Sequence, residues 1–530
     1  MSSETHVDIL KSRIATDGPK CFYKIKHKSP TGSLTWSSVS YAEFGRDVDA
    51  VAAYFIGRMR KDGVPDGAVV GLRLYGLTYS EIVHLYALFW AGYIPDMVST
   101  SLTDPTVILE LLNESDARAF LHVPGFSLPE GCGIPTYTPL TDFKNLQEDS
   151  NFPTARAYNQ NEVAFIYYTS GSTASKPKTV PCTNKWFRSA LDSWKSVWNL
   201  AGDGKPQDIF KIPGNVNQPS AFHALSVGIN LGGAFIQTSQ TPKDPIFPSD
   251  ELVQLALGGG LNRMTVFAPM LIPPILTAQA QLKSGDETIL CILQNMRSIV
   301  YGGMPLLPVF ETWAFENKFP LMNSLGTTET GPLLHCNFGH PRHMIPFKGI
   351  DLAFEPQPRL SDIDKQLFKL VVLPTSVNIP HALQCSEDGK FYPGDLFSRN
   401  DDGTWTHRRC DGDWIKIGNA SLVDTKAIEE YLRTTCSDLL KELVIVGTNR
   451  PAIALLTEAA QPDSADDSVR QTIVDRIVPF DQQRFAWERL SVKNIVFVPR
   501  GTLPRTATKG NIRRKVAEQL FSAELDPLYT

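Results

Sequence analysis

Hydrophobic and polar positions alternate along the chain with two different periods, one typical of helices and one typical of strands. Residues 41–55 and 80–90 carry apolar side chains at the spacing of a helical face, and residues 68–74 form a short β-branched run that predicts a strand. Further short strands are predicted at 163–168, 265–268, 298–301, 369–373 and 443–447. Because helical and strand patterns take turns, we predict an α/β fold.

We predict two domains, with a boundary close to the charged segment Arg408–Asp413. At 530 residues the chain is long enough for several domain-sized units. The segment leaves residues 1–410 as a large N-terminal domain and residues 411–530 as a C-terminal domain of ordinary size. Polar, proline-containing stretches at 239–250 and 460–468 predict surface loops.

Composition and charge narrow the classes of partner. Hydrophobic residues make up 42% and charged residues 20% of the chain, and the net charge is −5, so we expect neither a nucleic acid nor an anionic membrane as partner. The eight cysteines are scattered without a Cys-x-x-Cys pair, which favours reduced thiols over a metal site. We find no secretory signal and no apolar run of transmembrane length, and therefore expect a cytoplasmic protein.

The segment Thr169–Lys178, which reads Thr-Ser-Gly-Ser-Thr-Ala-Ser-Lys-Pro-Lys, directly follows the strand predicted at 163–168. Its glycine lets backbone N–H groups turn toward an anion, its hydroxyls add neutral donors, and its lysines add positive charge. The spacing differs from that of a P-loop. Taken alone, the cluster is more typical of a solvated loop than of a phosphate site.

Five further segments follow this loop in a fixed order, and each has an ordinary explanation when taken alone. A Gly-Gly pair signals a turn, and the carboxylates and basic residues are typical of caps, turns and solvated faces. We predict that Asp395 lies in a tight turn and that Lys509 precedes a basic helix. The segments are Tyr301-Gly-Gly-Met-Pro305, Asn323–Gly331, Tyr392-Pro-Gly-Asp-Leu396, Arg409-Cys-Asp411 and Leu503–Lys515.

Together, the loop and the five segments resemble the motifs of the adenylate-forming superfamily. This superfamily contains acyl- and aryl-CoA ligases, luciferases, and the adenylation domains of nonribosomal peptide synthetases and carboxylic acid reductases. The resemblance covers nearly the whole chain. It implies an adenylation core of stacked α/β subdomains at 1–410, and a small, mobile α+β lid domain at 411–530 that carries the catalytic lysine.

The resemblance also implies which residues bind ATP and Mg²⁺. By this resemblance, Glu329 would bind Mg²⁺ and Thr328 would lie beside the α-phosphate. Lys509 would bridge the substrate carboxylate and the α-phosphate, and Asp411 would be the hinge between the two domains. The β- and γ-phosphates would contact Thr169, Ser170, Gly171, Ser172, Thr173 and Lys178. Adenine and ribose would contact Gly302, Gly303, Asn323, Leu325, Asp395 and Arg409.

Three departures from the family pattern point to a subfamily. The phosphate loop has one additional residue and carries Ala174 where glycine is usual. Leu325 replaces a tyrosine that commonly stacks near adenine. The sequence around Lys509 reads Thr-Lys-Gly-Asn, which resembles a variant in fungal reductase-like synthetases.

The segment Phe222-His-Ala-Leu-Ser226 indicates the substrate class. Amino-acid-activating members keep an aspartate where this chain has His223, and an ammonium buried without a counter-ion would be costly. A non-amino acid follows, with His223 along its carboxylate, although a satisfied core histidine is the alternative. The pocket is expected to be apolar, which favours an aromatic acid. Its walls would be Phe222, His223, Phe267, Ala268, Pro269, Met270, Gly302, Gly303, Met304, Ser324, Leu325 and Gly326.

The acyl acceptor is expected to be a thiol. Because no phosphopantetheine attachment motif is found, the leading hypothesis is the adenylation domain of a fungal carboxylic-acid-reductase-like synthetase, loading the phosphopantetheine of a carrier in cis or in trans. A free-standing ligase that loads CoA, and activation of an aryl 2-oxo acid, are related alternatives. A pseudo-enzyme that only binds nucleotide or a partner is a third, suggested by Leu325 and the altered loop.

Overall fold

The computed structural model describes most of the chain, with gaps in several connections. The described residues are 4–30, 34–76, 78–100, 102–143, 146, 152, 159–169, 177–198, 206–212, 214–241, 248–303, 306, 308–336, 342–357, 366–381, 384–410, 414–417, 422–448, 450–461, 466–481, 489–506 and 510–529.

The helices predicted from apolar periodicity are present and begin at clear capping signals. Ser40 and Thr78 each accept a hydrogen bond from the backbone N–H of a glutamate three residues later, whose carboxylate bonds back to the cap. The first predicted helix continues to Lys61. The α-helices are α1 His6–Asp17, α2 Tyr41–Lys61, α3 Tyr79–Trp90, α4 Pro105–Glu114, α5 Asn184–Val197, α6 Pro219–Asn230, α7 Ser249–Leu257, α8 Ile272–Lys283, α9 Thr288–Gln294, α10 Pro308–Glu316, α11 Thr425–Thr435, α12 Asp467–Asp481, α13 Arg514–Leu520 and α14 Ser522–Leu525, and 3-10 turns cover Ala268–Leu271, Val492–Asn494 and Asp526–Tyr529.

The strands include each of those predicted from short apolar runs, with bounds that differ by a few residues. They are β1 Cys21–Lys28, β2 Leu34–Ser40, β3 Val69–Arg73, β4 Ile94–Met97, β5 Ala117–His122, β6 Thr136–Tyr137, β7 Val163–Thr169, β8 Lys178–Thr183, β9 Ile209–Lys211, β10 Ala234–Ile236, β11 Arg263–Phe267, β12 Ser298–Gly302, β13 Leu321–Thr327, β14 Gly331–Cys336, β15 Met344–Pro346, β16 Leu352–Pro356, β17 Leu367–Val372, β18 Asp395–Arg399, β19 Trp405–Cys410, β20 Trp414–Lys416, β21 Leu422–Asp424, β22 Leu440–Val446, β23 Ala454–Ala459 and β24 Ile495–Phe497.

The N-terminal region is built on two large sheets. Among the described residues, one sheet has the order β16-β17-β18-β19-β15-β14-β13-β12-β11-β9-β10-β1-β2, and the other has the order β6-β5-β3-β4-β7-β8. The run from β13 to β1 in the first sheet is parallel. A core rich in aromatic residues draws side chains from both sheets and from the helices α1, α2, α3, α5 and α6. The predicted α/β class is therefore confirmed.

The C-terminal region, from β20 onward, forms its own small sheets and cores. Its strands pair as β20-β21 and as β22-β23-β24. Two clusters of buried aliphatic residues pack α11, α12 and α13 on these strands. A large N-terminal unit and a small α+β C-terminal unit are thus observed as expected, while the mobility of the small unit stays a prediction.

Two local predictions were wrong. Asp395 does not occupy a turn, because the chain bends at Gly394, whose φ is +88°, and Asp395 already pairs with Cys410 as the first residue of β18. The predicted loops at 239–250 and 460–468 end earlier than expected. In both, the last acidic residues lie in the first turn of a helix, α7 or α12. The helix dipole stabilises negative charge at this N-terminal end.

A buried ion cluster ties together the amino ends of the parallel strands. Asp208 lies just before β9, and its carboxylate faces the guanidinium of Arg263 at 3.0 Å and that of Arg297. Arg263 opens β11 and also donates to the hydroxyl of Ser298, which opens β12. Asp208 and Arg263 are 4% and 5% exposed. Removing one partner would therefore leave a buried charge without compensation.

Replacing Asp208 with asparagine is expected to lower the free energy of unfolding by about 3 kcal/mol, because the guanidinium of Arg263 loses its counter-charge in a buried site. Urea denaturation followed by circular dichroism measures the change. The matched control is Asp66→Asn, which breaks the more exposed pair with Arg60 and is expected to cost under about 1 kcal/mol. Equal costs for the two variants would contradict a structural role for the cluster.

Candidate active site

The carboxyl ends of β11, β12 and β13 meet at one edge of the large sheet. Phe267, Gly302 and Ser324 lie side by side there, because Phe267 pairs with Gly302 and Gly302 pairs with Ser324. In open parallel sheets, ligands bind at this edge. The structure thus brings together three of the segments singled out in the sequence.

Gly302 and Gly303 are required by close packing at this edge. A Cβ atom on Gly302 would lie 2.5 Å from the carbonyl oxygen of Ser324, which is too close for any side chain. Gly303 has a φ of +80°, and a Cβ atom there would lie 2.9 Å from Cδ1 of Phe267. Gly302 therefore lets β12 pack closely against β13, and Gly303 lets the chain turn sharply after β12.

The turn between β13 and β14 holds the carboxylate predicted to bind metal. Thr327 pairs with Gly331, so Thr328, Glu329 and Thr330 form the connection. The Thr330 N–H donates to the Thr327 hydroxyl at 3.2 Å. Asn378 donates from Nδ2 to the carbonyl oxygen of Thr330 at 3.1 Å. The backbone that carries Glu329 is thus fixed from two sides.

His223, from α6, lies directly against this turn. Its side chain is only 5% exposed, and a Cβ atom on Gly331 would lie 3.4 Å from its Cε1. Among the described residues, no group forms a hydrogen bond with its buried Nε2 atom. Burial lowers the pKa of His223 to about 3, because the imidazolium form would lose its hydration. The imidazole is therefore neutral at physiological pH.

Trp186, from α5, was missed in the sequence and contacts both His223 and the turn. Its ring lies 4.7 Å from the imidazole, centroid to centroid, and its Nε1–H donates to the carbonyl oxygen of Glu329 at 2.9 Å. The only sequence signal was an aromatic residue on the apolar face of an amphipathic helix, which is more typical of a core position.

The other expected pocket residues fall into two groups. Phe222 is fully buried among the rings of Phe165 and Phe187, so its ring belongs to the core of the fold. Phe267 is half-buried beside Gly303. Several others lie at the same edge or in the short helix that follows β11, namely Ala268, Met270, Ser324, Leu325 and Gly326, and Leu325 is half-buried against the aromatic core. Asn323, which was expected to contact adenine, lies on β13 beside Ser324.

Asp395 and Arg409 lie on neighbouring strands, β18 and β19, farther along the same sheet. Asp395 is 8% exposed, and its carboxylate bonds to Nε2 of His407 at 2.8 Å. Arg409 pairs through its backbone with Leu396. Two strands, β15 and β14, separate β19 from β13. His407, which sequence reasoning missed, is thus a partner of the expected ribose-binding carboxylate.

The loop predicted to bind phosphate connects the two strands of a hairpin, β7 and β8. Thr169, the last residue of β7, pairs with Lys178, the first residue of β8, and the side chain of Lys178 is exposed. Several predicted residues fall outside the described part of the structure, either entirely or in their side chains. Ser170, Gly171, Ser172, Thr173, Met304, Asp411 and Lys509 are not described, nor are the side chains of Thr169, Pro269 and Arg409.

The described residues on either side of Lys509 are tied to each other. Arg505 forms an antiparallel bridge with Ile512, and its Nη1 donates to the carbonyl oxygen of Gly510 at 2.7 Å. The hydroxyl of Thr506 accepts from the N–H of Asn511 at 3.1 Å. The two flanks of Lys509 therefore run side by side ahead of α13, which is the basic helix expected there.

Glu329 is the residue that would bind a metal ion at this site. Within the described ranges, no group of three or more histidine, cysteine or acidic residues is arranged to hold a metal ion. A single half-buried carboxylate fits Mg²⁺ that is shared with phosphate oxygens, since Mg²⁺ commonly uses one or two carboxylates plus substrate phosphates. The side chains of seven cysteines are described, and all seven are free thiols. No described helix is both long and apolar enough to cross a membrane.

Comparison with known proteins gives matches along most of the chain. A family model described as AMP-binding enzyme matches residues 26–366, and one described as AMP-binding enzyme C-terminal domain matches residues 412–530. The chain is 31% identical over 522 residues to the AMP-binding domain-containing enzyme iboA of Amanita muscaria, covering 95% of this chain and 99% of that protein.

Two further similarities differ in extent. The chain is 23% identical over 531 residues to the adenylate-forming reductase Nps11 of Serpula lacrymans, covering 93% of this chain and 46% of that protein. The solved structure of o-succinylbenzoate CoA synthetase from Bacillus subtilis, in complex with an acyl-adenylate intermediate, superposes with a TM-score of 0.73 at 16% identity and 97% coverage of both chains. The chain therefore belongs to the AMP-binding enzyme family and has the fold of adenylate-forming enzymes.

Proposed function

We propose that the protein uses ATP to activate a carboxylic acid without an α-ammonium group, releasing pyrophosphate. A carboxylate oxygen attacks the α-phosphorus, the new O–P bond forms, and the bond from that phosphorus to the bridging oxygen of pyrophosphate breaks. The observation that carries the proposal is His223, a buried neutral imidazole beside the Glu329 turn, whose Nε2 bonds to no described residue. Family membership supports the ATP half of the reaction.

On the acid side, His223 is proposed to donate a hydrogen bond to the substrate carboxylate. A buried donor without a partner is costly, and an entering carboxylate oxygen would satisfy it. Histidine offers no negative charge to an α-ammonium, which argues against an amino acid. The half-buried ring of Phe267 lies beside Gly303, at the edge where the acid would lie. We therefore propose an aromatic or otherwise largely apolar acid.

On the nucleotide side, the proposed contacts follow the positions of the motifs. The loop from Thr169 to Lys178 would surround the β- and γ-phosphates, and Gly302, Gly303, Asn323 and Leu325 would line the adenine site. Asp395 and Arg409 would hold the ribose, and Thr328 the α-phosphate. Mg²⁺ on Glu329 would neutralise charge on the phosphate oxygens. Lys509 would bridge the carboxylate and the α-phosphate in the adenylating arrangement, with Asp411 as hinge.

The acyl acceptor is proposed to be the phosphopantetheine thiol of a carrier, as in a carboxylic-acid-reductase-like synthetase. The similarity to an adenylate-forming reductase supports this, although the chain spans less than half of that protein. CoA is the second candidate, favoured by the similarity in fold to a CoA synthetase over 97% of both chains.

Acid-dependent exchange of pyrophosphate into ATP is the expected activity, screened with aryl, acyl and oxo acids. Lys509→Ala is expected to lower the exchange rate at least ~100-fold, since a charge that stabilises the transition state is removed. Lys515→Ala, which removes an exposed lysine from the same basic segment, is the matched control and should exchange like the wild type. No exchange with any acid, or equal rates for the two variants, would refute the proposal.

The acyl acceptor is identified by incubating the enzyme, ATP and an active acid with either CoA or a phosphopantetheinylated carrier protein. Mass spectrometry is expected to find the thioester on the carrier, because the proposed acceptor is the thiol of a carrier rather than that of free CoA. A carrier variant without the attachment serine is the control. Acyl-CoA formation without carrier acylation would favour the CoA ligase and rule out the carrier as preferred acceptor.

The pKa of His223 gives a pH prediction. The folded imidazole stays neutral down to about pH 3, whereas in the unfolded chain it takes up a proton near its ordinary pKa of 6.5. The contribution of the neutral imidazole to the free energy of unfolding is therefore fully present above pH 6.5. It decreases as the pH falls from 6.5 to about 3, by at most ~1.4 kcal/mol per pH unit. NMR of the ring protons, assigned with His223→Asn, should show no titration between pH 5 and 8. A midpoint near 6.5 would contradict the buried environment.

A further inference from the structure

Trp186 occupies a place that none of the motifs accounts for. It lies two residues into α5, directly after the strand β8 that returns from the phosphate loop. Its side chain is 4% exposed, and the fold could fill such a position with any large apolar residue. The two functional groups that it contacts are therefore the informative feature.

The first contact fixes the plane of the His223 ring. The indole and imidazole rings lie 4.7 Å apart, centroid to centroid, at an interplanar angle of 36°. A Cβ atom at Gly331 would lie 3.4 Å from Cε1 of the same imidazole, and the φ of +70° at this position favours glycine. The indole thus packs against the imidazole and limits its rotation.

The second contact fixes the carbonyl group of Glu329. The Nε1–H of Trp186 donates to this oxygen at 2.9 Å. A carbonyl oxygen that turned toward the phosphates would repel them, because both carry negative charge. Holding the carbonyl toward α5 therefore also sets the direction in which the Glu329 side chain leaves the turn.

We propose that Trp186 is a positioning residue that sets the spacing between the acid-binding imidazole of His223 and the metal-binding carboxylate of Glu329. The inference rests on the proposed function, since it gives both groups the roles argued above. One rigid indole reaches both sides of the reacting centre, and adenylation needs the carboxylate and the α-phosphate in close, aligned contact. The two contacts use different parts of the indole, so they can be separated by substitution.

Two variants at the same position separate the contacts. Trp186→Phe keeps an aromatic ring against His223 but removes the N–H that holds Glu329, so the Mg²⁺ concentration for half-maximal exchange is expected to rise about five- to tenfold, with the acid KM changed by less than about twofold. Trp186→Leu removes both contacts, so both quantities are expected to rise. Pyrophosphate exchange at varied Mg²⁺ and varied acid measures them, and calorimetric titration of Mg²⁺ into the enzyme with ATP but without acid measures the metal affinity in the absence of turnover.

Trp194→Phe is the matched control on the same helix. Trp194 is also buried, at 8% exposure, and its Nε1 bonds to no group in the described part of the chain. This variant removes an indole N–H and leaves the same kind of cavity, so it reports the purely structural cost. It is expected to leave the Mg²⁺ requirement and the acid KM at wild-type values.

The outcomes distinguish this inference from the function on which it rests. A selective rise in the Mg²⁺ requirement for Trp186→Phe supports it. If Trp186→Phe and Trp194→Phe behave alike, or if Trp186→Phe raises the acid KM as much as the Mg²⁺ requirement, the positioning role is overturned while the proposed activity stands. No exchange by the wild-type protein with any acid counts instead against the proposed function.

Discussion

The close approach of β12 to its neighbours at Gly302 is the constraint on which the site depends. With the Ser324 carbonyl 2.5 Å from any Cβ atom at this position, only glycine lets the strands keep their register to the very edge of the sheet. That register places the start of the Thr327–Gly331 turn one strand away from the Gly302–Gly303 bend. The imidazole of His223 and the indole of Trp186 lie beside the same turn.

The amino ends and the carboxyl ends of the parallel strands differ in how their charged and polar groups are paired. At the amino ends, charges are compensated in place: Asp208 faces two guanidinium groups, and the cluster is complete without a ligand. At the carboxyl ends, the described groups leave an imidazole nitrogen without a partner and a half-buried carboxylate in a tight turn. One edge stabilises the fold, and the other keeps the polar groups that a ligand would satisfy.

Local patterns were sufficient for the elements but not for the contacts between them. The helix α2 and the strands β7, β11 and β12 followed from the spacing and length of apolar runs, which depend on neighbours in sequence. The bond from Trp186 to Glu329 joins residues 143 positions apart, and no local pattern contains it. Asp395 was misplaced because Pro-Gly-Asp signals a turn, whereas its strand is fixed by pairing with β19 and its partner His407 lies twelve residues away.

The pairing of β7 with β8 limits where the connection between Thr169 and Lys178 can accommodate an additional residue. In this hairpin Phe165 and Tyr167 face the aromatic core, while the hydroxyl of Tyr168, on the opposite face, donates to Asp96 at 2.6 Å. Sliding one strand by a single residue would exchange these faces and break that bond. From Phe165 to Thr169 the pairing with β8 is regular, so an additional residue inserted within this stretch would exchange these faces, whereas one in the connection between Thr169 and Lys178 leaves them unchanged.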